Sequence, residues 1–445
     1  MPSGLIFWRN CSGGSMHQLT RLIRDDMRPA LGVTEPGAIA FCAAKAREYA
    51  NGELHSMVVE LNSGMYKNAF TCGIPNTAEV GAGFAAALGY VGGKAEKELE
   101  VLADISEAEN AAAMDLWKSH VIQVNVSGVT SRLFIRTTVK TAEHTVTVTI
   151  RDGHTNITEI RVDGKALFGD DALYESRREE EDSTAGAVAG IHRFTLREIL
   201  DYIESVDPEE IAFVKDAYTV NLQLFQCGLE SGRTVFVKRL LARNGGRVIS
   251  EDEQRTASLL CGGAIEARVL GLNRAAMSIT GSGAHGIIAT LPLYAACKVK
   301  GYGEERLLRA TVLSFLVCMY IKEYSGRLSA FCGCAIAAGA GAACGLAWLR
   351  GGSAEEMGSV LNYLAGSITG MICDGGNKGC TLKGITAVDA AYQAVDFAMH
   401  GVRLEAVHGI CGRTPEETMC NMGMIADPGM TGTERVILQI MENKG

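Results

Sequence analysis

The chain predicts an α+β fold, with a small antiparallel-sheet-containing N-terminal portion followed by a large all-helical C-terminal portion. Two patterns carry that expectation. Between Val121 and Val162 apolar and polar residues alternate through VIQVNV, RLFIRTTVK, HTVTVTIR and ITEIRV, four short strands parted by turn residues. After about residue 187 long apolar stretches of helical length take over, broken by glycine clusters at GSGAHG (281–286) and CDGGNKGC (373–380).

In chain order, residues 1–15 (MPSGLIFWRNCSGGS) read as a disordered extension. The apolar run is too short for a signal segment, and Met16 opens a plausible helix. Residues 16–172 make the α/β portion. Residues 16–50 read helical with a break at Gly32–Pro36, where VTEP closes one helix and starts the next. Ser56–Leu61 predicts a strand, and NSGMYKNAFTCGIPNT after it a polar loop. Helices are expected over Ala78–Gly89 and Glu96–Met114, then the antiparallel meander. Residues 173–186, including the highly polar YESRREEEDSTAG, predict a linker, and 187–445 a helical domain. Ser329–Leu349 is free of charge for 21 residues. Its Ala, Gly and Cys content transfers poorly into lipid but packs closely, which predicts a buried helix and not a membrane span.

Composition narrows the function classes. The 445 residues are 47% hydrophobic and 21% charged, enough for two or three domains with a large core. A net charge of −9 without a basic cluster argues against nucleic acid and anionic membrane as partners. The 14 cysteines are scattered, many in apolar helical stretches. They fit free thiols or metal ligands in a reducing cytoplasm better than a disulfide framework.

Several constellations point to chemistry. Cys332 opens the Ala/Gly helix, and Cys373 and Cys380 flank DGGNKG, a segment too rich in Gly and Asn to continue a helix. One helical hairpin returns Cys373 to Cys332. Three converging thiolates hold an iron–sulfur cluster with one iron open; three small core residues are the alternative reading of the same spacing. Zinc fits worse, since neither a CxxC pair nor a His pair is near. Gly281, Ser282 and Gly283 precede a helix and offer N–H groups to an anion such as a carboxylate, and His285 follows as an acid or base; a tight helix connection reads equally well. Arg268, with Glu266 on the same helix, is a candidate carboxylate clamp or an ordinary ion-paired arginine. Lys67 and Asn68, with Asn76 and Thr77, lie between a strand and a helix, where binding residues concentrate. His154 in DGHTNI has no evident structural need; read alone it is a solvated turn residue.

Taken together and in order, RPALGVTEPGAIA, MYKN with PNT, GHTNI, GSGAHG, RLSAFC and GMICDGGNKGC resemble the iron–sulfur L-cysteine desulfidases. These are distant relatives of the α-subunits of bacterial iron–sulfur L-serine dehydratases. The resemblance runs over nearly the whole chain from Met16. It implies an oxygen-sensitive 4Fe–4S cluster without pyridoxal phosphate, and β-elimination of L-cysteine to pyruvate, ammonia and sulfide. It carries over Cys332, Cys373 and Cys380 as cluster ligands, while Cys334 has no counterpart. Two departures stand out: Val33 where the family reads GCTEP, and GSGAHG where it reads GSGNQG. Both bear on the substrate, so L-serine, L-threonine or another β-substituted amino acid is the alternative, with a non-catalytic amino-acid- or cluster-binding relative as the rival class. His285 or His154 is expected as the base, Arg268 and the N–H groups around Ser282 as the carboxylate site, and Lys67, Asn68 and Thr77 as the other wall. A cytoplasmic homo-oligomer acting on a small molecule is the expected context.

Overall fold

The computed structural model describes residues 16–183, 190–326 and 328–444; the expected extension at 1–15 lies outside them. The front portion runs α1 (Gln18–Asp26), β1 (Arg28–Leu31), α2 (Thr34–Arg47), β2 (Leu54–Asn62), α3 (Ser63–Ala69), α4 (Ala82–Gly92) and α5 (Glu107–Lys118). Then come β3 (Ile122–Gly128), β4 (Phe134–Thr141), β5 (Thr145–Arg151), β6 (Ile157–Val162), β7 (Lys165–Gly169) and α6 (Asp171–Ser183). The back portion begins with α7 (Leu196–Ser205), α8 (Pro208–Ile211), α9 (Lys215–Glu230), α10 (Phe236–Arg243) and α11 (Glu253–Val269). It continues with β8 (Ala275–Ser278), α12 (Gly283–Lys300), α13 (Glu304–Ser325) and α14 (Gly339–Leu349). It ends with α15 (Ala354–Ser367), α16 (Gly379–Met399), α17 (Pro415–Met424) and α18 (Thr431–Glu442). The α+β class read from the sequence is the class observed.

Period-two alternation builds a six-stranded sheet in the order β3-β2-β4-β5-β6-β7. Met57, Val59, Leu61, Ile135, Val139, Val146, Val148 and Ile150 bury one face in a core shared with α2 and α4. Three of the four expected meander strands, β4 to β6, pair antiparallel in order, and β7, not anticipated, extends them. Ile122–Gly128 does not join it: β3 pairs parallel with β2 at the opposite edge. The chain between them supplies the long crossover that a parallel pair needs.

Three local readings differ from the structure for physical reasons. RPAL is a strand, not helix, pairing antiparallel with β8 from Arg28↔Ser278 to Leu31↔Ala275. Pro29 lacks the N–H a continuing helix would require. The stretch SGMYKNA is the helix α3, where a loop is expected. Asp171–Ser183 is helical where a connector is expected, because Glu, Arg and Leu are good helix formers even in a polar run; the rest of that stretch, from residue 184, is outside the described residues.

The second core is helical, with α11 and α12 at its centre and α1 docked on it through Leu19 and Ile23. Residues 329–349 are largely buried within it as expected: a π-helical turn, Cys334–Ala338, leads into α14. Small residues are required there, since a Cβ on Gly341 would lie 2.2 Å from the Ser314 carbonyl oxygen of α13. Among the described residues no helix is long and apolar enough to cross a membrane.

Lys67 of α3 joins the two portions. Only 1% exposed, its Nζ donates to Glu434 Oε2 of α18 at 2.6 Å and to the Ser329 carbonyl at 3.1 Å. Removing one partner of a buried pair strands the other charge, which costs far more than the pair contributes. Lys67→Met should therefore destabilise the protein by about 3–5 kcal/mol. The double variant Lys67→Met/Glu434→Leu should recover most of that in urea titrations.

Candidate active site

The candidate site is assembled from backbone pairing. Ala330–Cys332, just before the π-helical turn, lies antiparallel to Met371–Cys373 after α15: Phe331 bridges Ile372, Cys332 N–H donates to the Met371 carbonyl at 3.0 Å, and Cys373 N–H to the Ala330 carbonyl at 2.6 Å. The hairpin of α14 and α15 thus returns Cys373 to Cys332 despite forty residues of intervening chain. Cys380 sits in the first turn of α16, its thiol donating to the Gly375 carbonyl at 3.4 Å. The DGGNKG segment curls against α3. Gly375 has φ +101°, and a Cβ there would lie 2.4 Å from the Lys67 carbonyl oxygen, so only glycine fits.

These sulfurs share one electrostatic environment. Burial pushes the Cys380 thiol up to about 12, with Cys334 and Cys373 adding to the effect. The Cys332 thiol donates to Cys334, which raises Cys332 well above the ordinary range and lowers Cys334 well below it. His285 and Arg268 assist Cys334 against burial. Lys383, one turn after Cys380 and paired with Asp374, feels the charge of Cys373, Cys332 and Cys380.

Arg268 approaches from α11. It is 4% exposed, and its Nε has no hydrogen-bond partner among the described residues. An imagined Cβ on Gly283 would meet that Nε at 2.8 Å, so the guanidinium lies against the first residue of α12. Helix α12 has no side-chain cap, leaving the N–H groups of Gly283, Ala284 and His285 directed at the same place. Ser282 N–H is occupied by the Ile279 carbonyl at 3.2 Å, so the free donors are the three residues after it. Glu266 is not a partner of Arg268. Its carboxylate accepts the N–H groups of Val235, Phe236 and Val237 and caps α10.

His285 is buried and held by Thr280. The Thr280 hydroxyl donates to the Ile279 carbonyl at 2.7 Å, so it accepts from His285 Nδ1 at 2.5 Å. That assignment puts a proton on Nδ1 and leaves Nε2 near Gly333, next to Cys334. Thr280 has φ +52°, costly for a β-branched residue, and its N–H is held by Asp26. Neither Thr280 nor Asp26 stood out in the sequence, although Thr280 directly precedes GSGAHG.

The front portion contributes a second group. Asn68 donates to Glu35 Oε1 at 2.8 Å and accepts from the Cys373 thiol at 3.8 Å. Glu35 also takes the Thr34 hydroxyl at 3.0 Å and faces His154 Nε2 at 3.9 Å. His154 is therefore not a solvated turn residue; it is buried, and its Nε2 has no hydrogen-bond partner among the described residues. Burial works to raise the Glu35 carboxyl, but His154, Arg268 and Asn68 outweigh it and bring it from 4.5 to about 2. Glu35 lies within the quoted VTEP motif yet was not singled out as a site residue.

Other expected wall residues serve the framework. Lys67 is committed to Glu434. Asn76 donates to the carbonyls of Leu102 and Ala103 at 2.7 and 3.0 Å. Thr77 accepts the Glu79 N–H at 3.2 Å, closing a local turn.

Comparison with known proteins follows this geometry. A family model described as the serine dehydratase alpha chain matches residues 96–439. The chain belongs to the serine dehydratase alpha-chain family. It is 37% identical over 424 residues to a UPF0597 protein of Clostridium botulinum (strain Okra / Type B1), covering 95% of this chain and 98% of the relative. A UPF0597 protein of Caldanaerobacter subterraneus is 37% identical over 427 residues, covering 96% and 98%. One of Clostridioides difficile is 32% identical over 426 residues, covering 95% and 98%. The serine dehydratase alpha-chain match therefore takes in Arg268, the start of α12 and all the paired cysteines.

A cluster-bearing member of this family would need thiolates spread around an object wider than one ion. Among the described residues no three His, Cys, Asp or Glu side chains converge tightly enough for a single metal ion. Cys332 and Cys373 lie in paired segments outside the helices and Cys380 in α16, with a glycine-rich loop between the last two and Lys383 feeling the charge of all three. That donor set fits an iron–sulfur cluster.

Because its folded pKa is depressed, Glu35 contributes stability that is complete above about 4.5 and lost as pH falls through about 2. Glu35→Gln should cost on the order of 3 kcal/mol at neutral pH. Chemical denaturation at a series of pH values should show that difference shrinking between pH 4.5 and 2.

Proposed function

We propose that the protein is a lyase that eliminates the β-substituent of a small L-amino acid, most directly L-cysteine to pyruvate, ammonia and sulfide. Cys332, Cys373 and Cys380 would hold a 4Fe–4S cluster. The observation that carries this reading is the backbone pairing that returns Cys373 to Cys332, beside Arg268, whose Nε has no hydrogen-bond partner among the described residues and lies against the start of α12. When bound, such a cluster supplies a Lewis-acidic iron that eases departure of a thiol or hydroxyl.

The chain's own residues do the rest. Arg268 and the N–H groups of Gly283, Ala284 and His285 take the substrate carboxylate. Glu35, ionised at neutral pH and steadied by Thr34, Asn68 and His154, is the matching site for the ammonium group. His285, oriented by Thr280 through Nδ1, removes the α-proton at Nε2; orientation of this kind is what general-base catalysis requires. Asn68 links the Glu35 side to Cys373. Glu35 and Asn68 thus replace Lys67, Asn76 and Thr77 in the proposed second wall. A cavity of about 340 Å³ reaches Thr280 from outside, and charges of both signs line it: Arg132, Arg178 and Lys322 with Asp26, Asp152 and Glu323.

L-serine is the second substrate to test, because the matching family model is a serine dehydratase chain. Protein purified without oxygen should contain about four iron and four sulfide per chain. Cys373→Ala should lose both, together with keto-acid formation from L-cysteine, L-serine or L-threonine, while its circular dichroism is retained. Folded, iron-free wild type would discard the scheme. Arg268→Ala should raise KM by roughly 10- to 100-fold, the loss of one charge-assisted clamp.

A further inference from the structure

A cavity of about 470 Å³ lies where the end of α12 and the start of α13 meet the beginning of α9. It is remote from the cysteines. His285 and Lys298 stand thirteen residues apart on α12, about 20 Å along an axis that rises 1.5 Å per residue. None of the chemistry assigned above uses a residue of this cavity.

Its walls are aromatic. Tyr218 of α9, Tyr294 of α12 and Tyr302 in the connection to α13 line it, together with Leu222 and Leu307. The rings of Tyr218 and Tyr294 have centroids 5.9 Å apart and are tilted by 32°. Cys297 also faces it. Burial pushes that thiol up to about 12, so it is neutral and adds apolar surface.

The polar groups are few, and only some are spent. Glu304 Oε1 takes Lys215 Nζ at 2.6 Å and the Tyr218 hydroxyl at 3.0 Å. Lys298 has no ion-pair partner among the described residues: its Nζ rests 5.3 Å from the Tyr294 ring centroid. Its charge reaches Glu304 without pairing with it. Two lysines against one carboxylate leave the cavity one positive charge in excess.

We propose that this cavity binds a small planar aromatic carboxylate, its ring among Tyr218, Tyr294 and Tyr302 and its carboxylate on Lys298. Sites for small molecules have this size and this make-up, mostly apolar and aromatic walls with a few placed polar groups. Tyrosine rings gain most from another ring stacked or tilted against them, which an aliphatic acid cannot offer. An ammonium over an exposed ring face is held weakly, so a carboxylate draws Lys298 away and frees the face of Tyr294. An aromatic amine would meet the surplus positive charge, with Glu304 already engaged. Binding here needs neither a cluster nor an elimination, so it stands or falls apart from the proposed function.

Indole-3-acetate is the probe, titrated calorimetrically into the full chain beside 3-methylindole, tryptamine and acetate. One molecule per chain is expected, held at least ten-fold more tightly than any of the other three. Lys298→Gln should weaken it by about ten-fold, the loss of one charge-assisted contact, and bring it level with 3-methylindole. Tyr294→Leu should weaken indole-3-acetate and 3-methylindole together. Lys300→Gln, an exposed cation two residues further on, should change neither. Absence of binding, equal affinity for tryptamine, or a Lys298→Gln variant that binds like wild type overturns the proposal. So does a Lys300→Gln variant weakened as much as Lys298→Gln, which would mean general attraction to surface charge. Both lysine variants replace exposed side chains, so the test does not depend on Tyr294→Leu folding.

Discussion

Two backbone hydrogen bonds, from Cys332 N–H to the Met371 carbonyl and from Cys373 N–H to the Ala330 carbonyl, constrain everything around the candidate site. They form where neither segment is in a regular helix, so the direction of each thiol is set by paired backbone and not by a freely rotating loop. The length of the α14–α15 hairpin follows from that requirement. So does its composition: the π-helical turn and α14 are rich in Ala, Gly and Cys where they approach α13 and α16, since larger side chains there would push the turn away. A change that lengthened this hairpin would separate the two cysteines while leaving every helix intact.

Around this fixed centre, charge is arranged in two groups. Arg268 and the free end of α12 present positive potential on one side. Glu35, with Asn68 and His154, presents a buried carboxylate on the other. Buried charges of opposite sign that do not neutralise each other by direct contact are expensive, and each here leaves polar capacity unspent: Arg268 Nε and His154 Nε2 are buried without partners among the described residues. Under the proposed function, a zwitterionic amino acid would satisfy both groups at once. The contrast with Lys67 is instructive, since it is equally buried but fully committed to Glu434 and Ser329.

The division of the fold into a sheet portion and a helical portion does not separate the chemistry. Helix α1 and strand β1 belong to the helical core through Leu19, Ile23 and the pairing with β8, and Asp26 at the end of α1 holds the strained Thr280. Thr34 likewise donates to the Gly281 carbonyl at 3.2 Å, tying the start of α2 to the turn before α12. The site lies where these crossings meet, so its geometry depends on both cores being formed.

The sequence alone determined the α+β class, the meander, the burial of the Ala/Gly helix and the residue types at the cysteine segments. Each is written in local periodicity or local composition, which a single strand or helix already expresses. Only the tertiary structure decided that β3 lies parallel to β2, that RPAL is a strand, that Lys67 pairs with Glu434, Asn76 with the 102–103 carbonyls and Thr77 with the Glu79 N–H, and that Glu35 meets Asn68 and Thr280 meets His285. These are questions of which side chains from remote segments point at one another. A buried carboxylate looks the same in sequence whether it caps a helix, as Glu266 does, or meets a side chain of another helix, as Glu35 meets Asn68. The difference is made by partners 29 to 33 residues away, and spacing carries no record of them.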